Sequence, residues 1–302
     1  MPVPGPTPVS TRWRHTREYL TFIALVLPNV ALIITFTYRP LIQNIWYSTY
    51  RWTLGSKTAT QIGLDNYRQF FDTGGATQIF KTTAIFAVAT VGISMVLGLF
   101  IALALNRKIR GAGFAQATVF SPYVLSGVGV GLMWLYIFDP QVGALAQLMR
   151  PLGFDSPKWF TDNTLSLVMV IIVYVWKNMG YAAVIYLAGL QAIPVDVLEA
   201  AALDGATGFR KLWSITLPML GPTTFFLLLT SVLNSLQAFD LIRTMTPLGR
   251  GTTTLIYEAY LQAFEKQNQA GYSAAVSTVL FAILVVLTLI QLALIEKRVF
   301  YR

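Results

Sequence analysis

The sequence predicts an all-α polytopic membrane protein with six transmembrane helices and both termini in the cytoplasm. Three observations predict it. Apolar residues make up 55% of the 302 and charged residues only 12%, against about 25% charged in an ordinary globular chain. The apolar residues gather into six runs, each near the roughly 20 residues that a helix needs to cross the hydrocarbon of a bilayer. The cations cluster on alternate flanks of those runs. Lipid offers the backbone no hydrogen bonds, so the runs must be helices.

The six runs are residues 19–38, 82–105, 114–138, 165–190, 219–239 and 272–295; five contain no charge and the fourth only Lys177. The first follows Arg12, Arg14 and Arg17 and so mimics a secretory signal. Its apolar part exceeds the usual core of about 7–15 residues, and no small-residue cleavage site follows, so it reads as a retained span. Residues 1–18, with Pro2, Pro4, Pro6 and Pro8, read as a disordered cytoplasmic tail, and residues 19–302 as one membrane domain. One set of flanks is short and basic: Arg12 to Arg17, then Arg107, Lys108 and Arg110, then Arg210 and Lys211, then Lys297, Arg298 and Arg302. The other set is longer, with its cations offset by Asp65, Asp72, Asp139, Asp155, Asp162, Glu258 and Glu265. The positive-inside rule puts the basic set in the cytoplasm, and Trp46, Tyr47, Tyr50 and Trp52 suit an outer aromatic belt.

The same residues exclude several classes of function. Without cysteine there is no disulfide, thiolate nucleophile or thiolate metal site. A net charge of +9 suits anionic lipid rather than nucleic acid, because no basic stripe with interleaved aromatics accompanies it. His15 is the only histidine and lies in a basic flank, away from any partner for a metal site or a catalytic triad. Gly55-Ser56-Lys57-Thr58 lacks the upstream glycines of a phosphate loop, and Gly127, Gly129 and Gly131 fall inside an apolar run where close helix packing explains them. The chain therefore reads as non-catalytic, with no cofactor and no metal of its own.

Between the fourth and fifth runs lies a patterned loop, residues 191–217. Pro194 suits a helix start, since it has no N–H to leave unpaired. Val195 to Leu203 are good helix formers, Gly205 is placed to end that helix left-handed, and Thr207 to cap a second short helix through Leu212. The alanines Ala200, Ala201 and Ala202 would let this helix lie close against another protein, with Glu199, Arg210 and Lys211 setting the register; a helix resting on the bilayer surface is the alternative.

Polar side chains within the runs are candidates for a solute path, because they are expensive in lipid. Lys177 and Asn178 lie mid-run with Tyr181 one turn on; Ser231, Asn234 and Ser235 share a helix face, and Gln237 and Asp240 continue toward the outer end. Interhelical hydrogen bonding, worth about 0.6 kcal/mol on average, is the plainer reading. Lys177 has three open readings: a partner for a phosphate, for Asp240, or for another subunit.

The loop with Glu199-Ala200-Ala201, Gly205, Ile215 and Leu217-Pro218 resembles the EAA loop of binding-protein-dependent ABC permeases. Gly63-Leu64-Asp65-Asn66-Tyr67, Trp176-Lys177 and Gly189-Leu190-Gln191-Ala192-Ile193-Pro194 extend the resemblance to most of the chain. Thr252-Thr253-Thr254-Leu255-Ile256-Tyr257 and the ending Glu296-Lys297-Arg298-Val299-Phe300-Tyr301-Arg302 are most similar to members of the carbohydrate branch that carry glycerol-3-phosphate. Thr246-Pro247-Leu248-Gly249-Arg250-Gly251 departs from that branch's outer-loop pattern. The resemblance implies a type I importer fold in a bacterial inner membrane. It implies a heterotetramer of this chain with a second homologous permease and two copies of a cytoplasmic ATPase, which would bind the ATP and Mg, served by an extracytoplasmic solute-binding protein. Glu199, Ala200, Ala201, Asp204, Gly205 and Arg210 would couple to the ATPase. Asn178, Tyr181, Ser231, Asn234 and Ser235 would line the chamber for glycerol-3-phosphate, a glycerophosphodiester or a neutral sugar. An ion-coupled transporter working alone would need titratable groups in several runs, and only Lys177 is deep.

Overall fold

The computed structural model describes residues 11–72, 75–107, 111–266 and 268–295, which are mostly helical. Five helices are long and apolar enough to cross a membrane, and a sharply bent pair supplies a further crossing if it counts as one.

The first span is α1 (Thr11–Ile33), which passes through a π-helical turn (Ile34–Tyr38) into α2 (Arg39–Tyr47). Pro40 has no N–H to give Phe36, and the turn before it widens until the Arg39 N–H bonds Ile34 O, five residues back. The helix begins inside the stretch expected to be a tail. Residues 1–10 lie outside the described residues, as do the side chains of Arg12, Arg14, His15 and Arg17, and Lys108, Arg110 and the ending Glu296 to Arg302. The apolar stretch of this span is unburied within the chain, while α2 ties to the last helix through Asn44, whose Nδ2 donates to Ala274 O and Thr278 Oγ1.

Outside the bundle, β1 (Tyr50–Arg51) pairs antiparallel with β2 (Thr60–Gln61). The loop between them holds Gly55 at φ 86°, a turn rather than a phosphate cradle. Buried Asn66, on α3 (Asp65–Asp72), donates to Ser48 O and Tyr50 O and so pins this cap to the chain below. The second span follows as α4 (Gly75–Leu105).

The third run, expected as one continuous span, is broken. α5 (Ala112–Val124) and α6 (Gly127–Phe138) meet at 96°, with Leu125 and Ser126 extended between them. Pro122 starts the break: it cannot donate to Thr118 O, and the Ser121 hydroxyl takes that carbonyl at 3.0 Å. A short helix, α7 (Ala144–Met149), leads to α8 (Asn163–Gln191), where the Asp162 carboxylate accepts the Leu165 N–H at 2.8 Å as an N-cap.

After α8 come α9 (Val195–Leu203), α10 (Gly208–Lys211), a second π turn (Leu212–Thr216), α11 (Leu217–Met219) and α12 (Gly221–Leu236). This π turn again precedes a proline: the Leu217 N–H reaches Leu212 O just before Pro218. The short helix expected to stop at Leu212 is therefore the first turn of a longer helical run. Thr207 stands at its N-cap position without a side-chain capping bond. α12 gives way at Gln237 to α13 (Asp240–Met245), and α14 (Leu255–Tyr260) and α15 (Ala270–Ile295) complete the chain.

The core centres on α8, against which α4 packs where Gly98 lets Ala182 approach; a Cβ there would stand 2.5 Å from that of Ala182. Gly180 admits the α5 backbone at Val119 in the same way. Gly127 and Gly131 place α6 directly on Asp240 and Thr244 of α13, as expected of packing glycines, whereas Gly129 meets nothing beyond its own helix. Phe86, Met169, Val173 and Ile242 fill one apolar cluster, and Tyr186, Leu190, Leu220 and Leu227 fill another nearer the α9 end.

Candidate functional site

The polar residues of α8 and α12 converge on a cleft of about 410 Å³, bounded on its third side by the break in the bent pair. Lys177, Asn178, Asn234, Gln237 and Asp240 line it, with Tyr123, Tyr174 and Phe239 as aromatic walls. A second, much smaller void of about 10 Å³ shares Asn178 and Asn234 with it and is otherwise bordered by Thr90, Ser94, Tyr181 and Ser231. Of the eight candidate path residues, seven therefore border the cleft or the small void beside it.

Ser235 is the exception. It is 2% exposed, and its hydroxyl lies 2.7 Å from Thr90 Oγ1, joining α12 to α4. The helix face read from Ser231, Asn234 and Ser235 splits, because α4 packs against its edge and takes the third member as an interhelical bond.

Lys177 lines the cleft, but its ammonium is engaged within the chain. Its ammonium donates to Tyr123 O at 2.6 Å, Leu125 O at 2.8 Å and Pro122 O at 3.3 Å. An ammonium has three donors, and all three serve the end of α5, where the break leaves carbonyls without helical partners. The charge also complements the negative end of that helix. Among the described residues no ion pair joins Lys177 to Asp240. Lys177 is the clasp of the bent span, and Asp240 lies against Gly127, where a Cβ would meet its own at 2.9 Å.

The remaining groups offer neutral hydrogen bonding. Asn178 Nδ2 donates back to Tyr174 O at 2.8 Å, and the residue lines both the cleft and the void. Tyr181 stacks on Tyr123 with ring centroids 4.8 Å apart, so two rings form one flat wall. Ser94 Oγ is buried with no protein partner and borders the void. Thr90 and Ser94 escaped the sequence reading, although their spacing of four puts them on one helix face. Tyr123 and Gly127 escaped it because an apolar run shows no sign of a break beyond Pro122.

At the other end of α8 and α12, α9 ends in a Schellman turn. The Ala206 N–H bonds Ala201 O at 2.9 Å, the Gly205 N–H bonds Ala202 O at 3.1 Å, and Gly205 takes φ 76°. Ala201 and Ala206, which flank the turn, are both buried. Glu199, Ala200, Asp204, Gly205 and Arg210 are exposed, and around them stand Val195, Leu203, Phe209 and Trp213, with Leu203 89% exposed. Of the alanine run, Ala201 serves the elbow's own packing and its neighbours face outward.

The family model for the binding-protein-dependent transport system inner membrane component matches residues 94–301. The chain is 36% identical over 282 residues to the sn-glycerol-3-phosphate transport system permease protein UgpA of Agrobacterium fabrum, covering 92% of this chain and 95% of the relative. It is 35% identical over 280 residues to the protein of that name in Rhizobium meliloti, with the same coverage. Among solved structures it is similar to a chain of a bacterial ABC transporter that imports the acidic polysaccharide alginate, with a TM-score of 0.82 at 20% identity over 94% of this chain and 98% of that one. A second structure, the alginate transporter in complex with an alginate pentasaccharide-bound periplasmic protein, gives 0.81 at 21% identity over 92% and 95%. At these identities the two structures speak for the fold.

Proposed function

The chain belongs to the family of binding-protein-dependent transport system inner membrane components, and we propose that it forms half of an ATP-driven path for glycerol-3-phosphate or a glycerophosphodiester. It is a multi-pass inner-membrane permease subunit and not an enzyme. The named cargo of its relatives supports the substrate, and the hydroxyl and amide lining of the cleft suits a polyol.

One observation carries the mechanism: the exposed elbow is the covalent link between the two helices that wall the cleft. α8 and α12 also pack tightly beside it, since a Cβ on Gly189 would meet Thr223 Oγ1 at 2.5 Å and Leu220 Cδ2 at 3.0 Å. A force on α9 therefore moves both walls together, because close-packed helices shift as units. The force comes from two copies of a separate ATPase that hold ATP and Mg and clasp Glu199 to Arg210. The second half of the path comes from a homologous permease, and a solute-binding protein docks outside. The bent pair counts as one span, giving six, with both termini in the cytoplasm. The loaded binding protein docks, ATP closes the ATPase dimer, the cleft opens outward to receive the solute, and hydrolysis resets it inward.

The test is ATP turnover by the reconstituted four-subunit complex with its binding protein, across phosphorylated and neutral polyols. Stimulation by glycerol-3-phosphate or its diesters is expected. Stimulation by neutral sugars alone would assign a different cargo.

A further inference from the structure

The proposed cargo is an anion, yet the cation inside the cleft is spent: all three Lys177 donors go to the end of α5. We propose that Arg243 is the specificity-determining residue that captures the phosphate at the outer mouth of the path. This rests on the anionic cargo just proposed.

Arg243 stands on α13 one turn beyond Asp240 and four residues after Phe239, the residue just before that helix; Phe239 and Asp240 line the cleft, and Arg243 lies beyond that lining. Its guanidinium carbon lies 4.7 Å from the Tyr260 ring centroid. Tyr260 meets Phe239 edge-on at 4.8 Å, and Phe239 forms the cleft wall. An aromatic pair thus connects this cation, held by cation–π attraction, to the wall of the cleft.

The second observation is that this guanidinium is held only by a loose ion pair with Glu265 and by the Tyr260 ring. Its nearest carboxylate oxygen, on Glu265, is 3.8 Å away, beyond hydrogen-bonding distance. That carboxylate instead accepts the Tyr260 hydroxyl at 3.1 Å. Among the described residues no acceptor takes an Arg243 side-chain N–H, and the side chain is 51% exposed. Five donors in a planar fork match two phosphate oxygens at once, and about half of the side chain is open to solvent. Glu265 faces the same group and competes with an incoming anion.

The experiment uses the complete reconstituted complex with its binding protein and measures glycerol-3-phosphate taken up per ATP hydrolysed. Arg243→Gln, which keeps bulk but removes charge, lowers that ratio by about tenfold or more, the weight of a charged hydrogen bond. Arg243→Lys recovers part of it, and Glu265→Gln matches or exceeds the wild type. The wild-type ratio falls as salt rises, and that dependence flattens in Arg243→Gln. A ratio for Arg243→Gln within twofold of wild type overturns the proposal, as does equal loss in the Lys and Gln variants. A wild-type complex that ignores phosphorylated solutes overturns the anionic cargo itself, which separates the two failures.

Discussion

Lys177 shows how a single side chain can be legible in type and illegible in role. A lysine in an apolar run signals function by its expense, and the sequence offers phosphate, Asp240 or another subunit as its partner. The structure assigns its donors to three carbonyls at the end of α5. Removing it leaves those acceptors to whatever water the cleft supplies. Lys177→Met is expected to destabilise the chain by about 1–3 kcal/mol, the weight of losing a charged donor to partly buried acceptors. A lowered midpoint in thermal melting of the purified complex checks this. Lys177→Arg, which keeps charge and donors, should restore most of it, and a midpoint for Lys177→Met equal to wild type would refute the clasp. Ser235 carries the same lesson: the periodicity placed it beside Asn234, but only the position of Thr90 on α4 decided which of the two met the passage.

Several elements have local causes that the sequence reading did not specify: Pro40 and Pro218 each follow a π turn, and Asp162 caps α8. The glycine end of α9 was legible. Gly205 ends α9 at φ 76° in open space, with no atom within 4 Å of where a Cβ would stand, so only backbone strain opposes a side chain there. Gly205→Val should therefore distort the elbow at a cost of about 1–2 kcal/mol and uncouple transport, whereas Gly205→Asn, which tolerates the left-handed region, should retain much of it. Parallel assays of uptake and ATP hydrolysis distinguish the two variants, and normal uptake by Gly205→Val would remove the elbow from the mechanism. The break in the third span was not legible, because Leu125 and Ser126 carry no marker of extended backbone. Its geometry comes from Pro122, from the clasp on α8 and from the glycine contacts of α6 with α13, which are distant in sequence.

For the whole molecule, orientation follows from where the basic flanks lie, and the absence of cysteine makes it directly measurable. Ser56→Cys, in the loop between β1 and β2, should react with an impermeant thiol reagent added outside spheroplasts, and Leu203→Cys, on the elbow, only after the membrane is opened. The reverse pattern would invert the topology. The apolar first span is unburied within the chain, a face that lipid or the proposed second permease would cover. Composition, run length and flanking charge by themselves determined a helical membrane bundle, its number of apolar runs and the elbow between α8 and α12, because each depends on neighbours along the chain and on the bilayer as solvent. Tertiary structure alone decided which polar groups line the cleft, that Lys177 closes a broken helix, and that Arg243 rests on Tyr260 in a loose ion pair with Glu265. Those outcomes depend on which distant backbone comes near enough to accept a hydrogen bond.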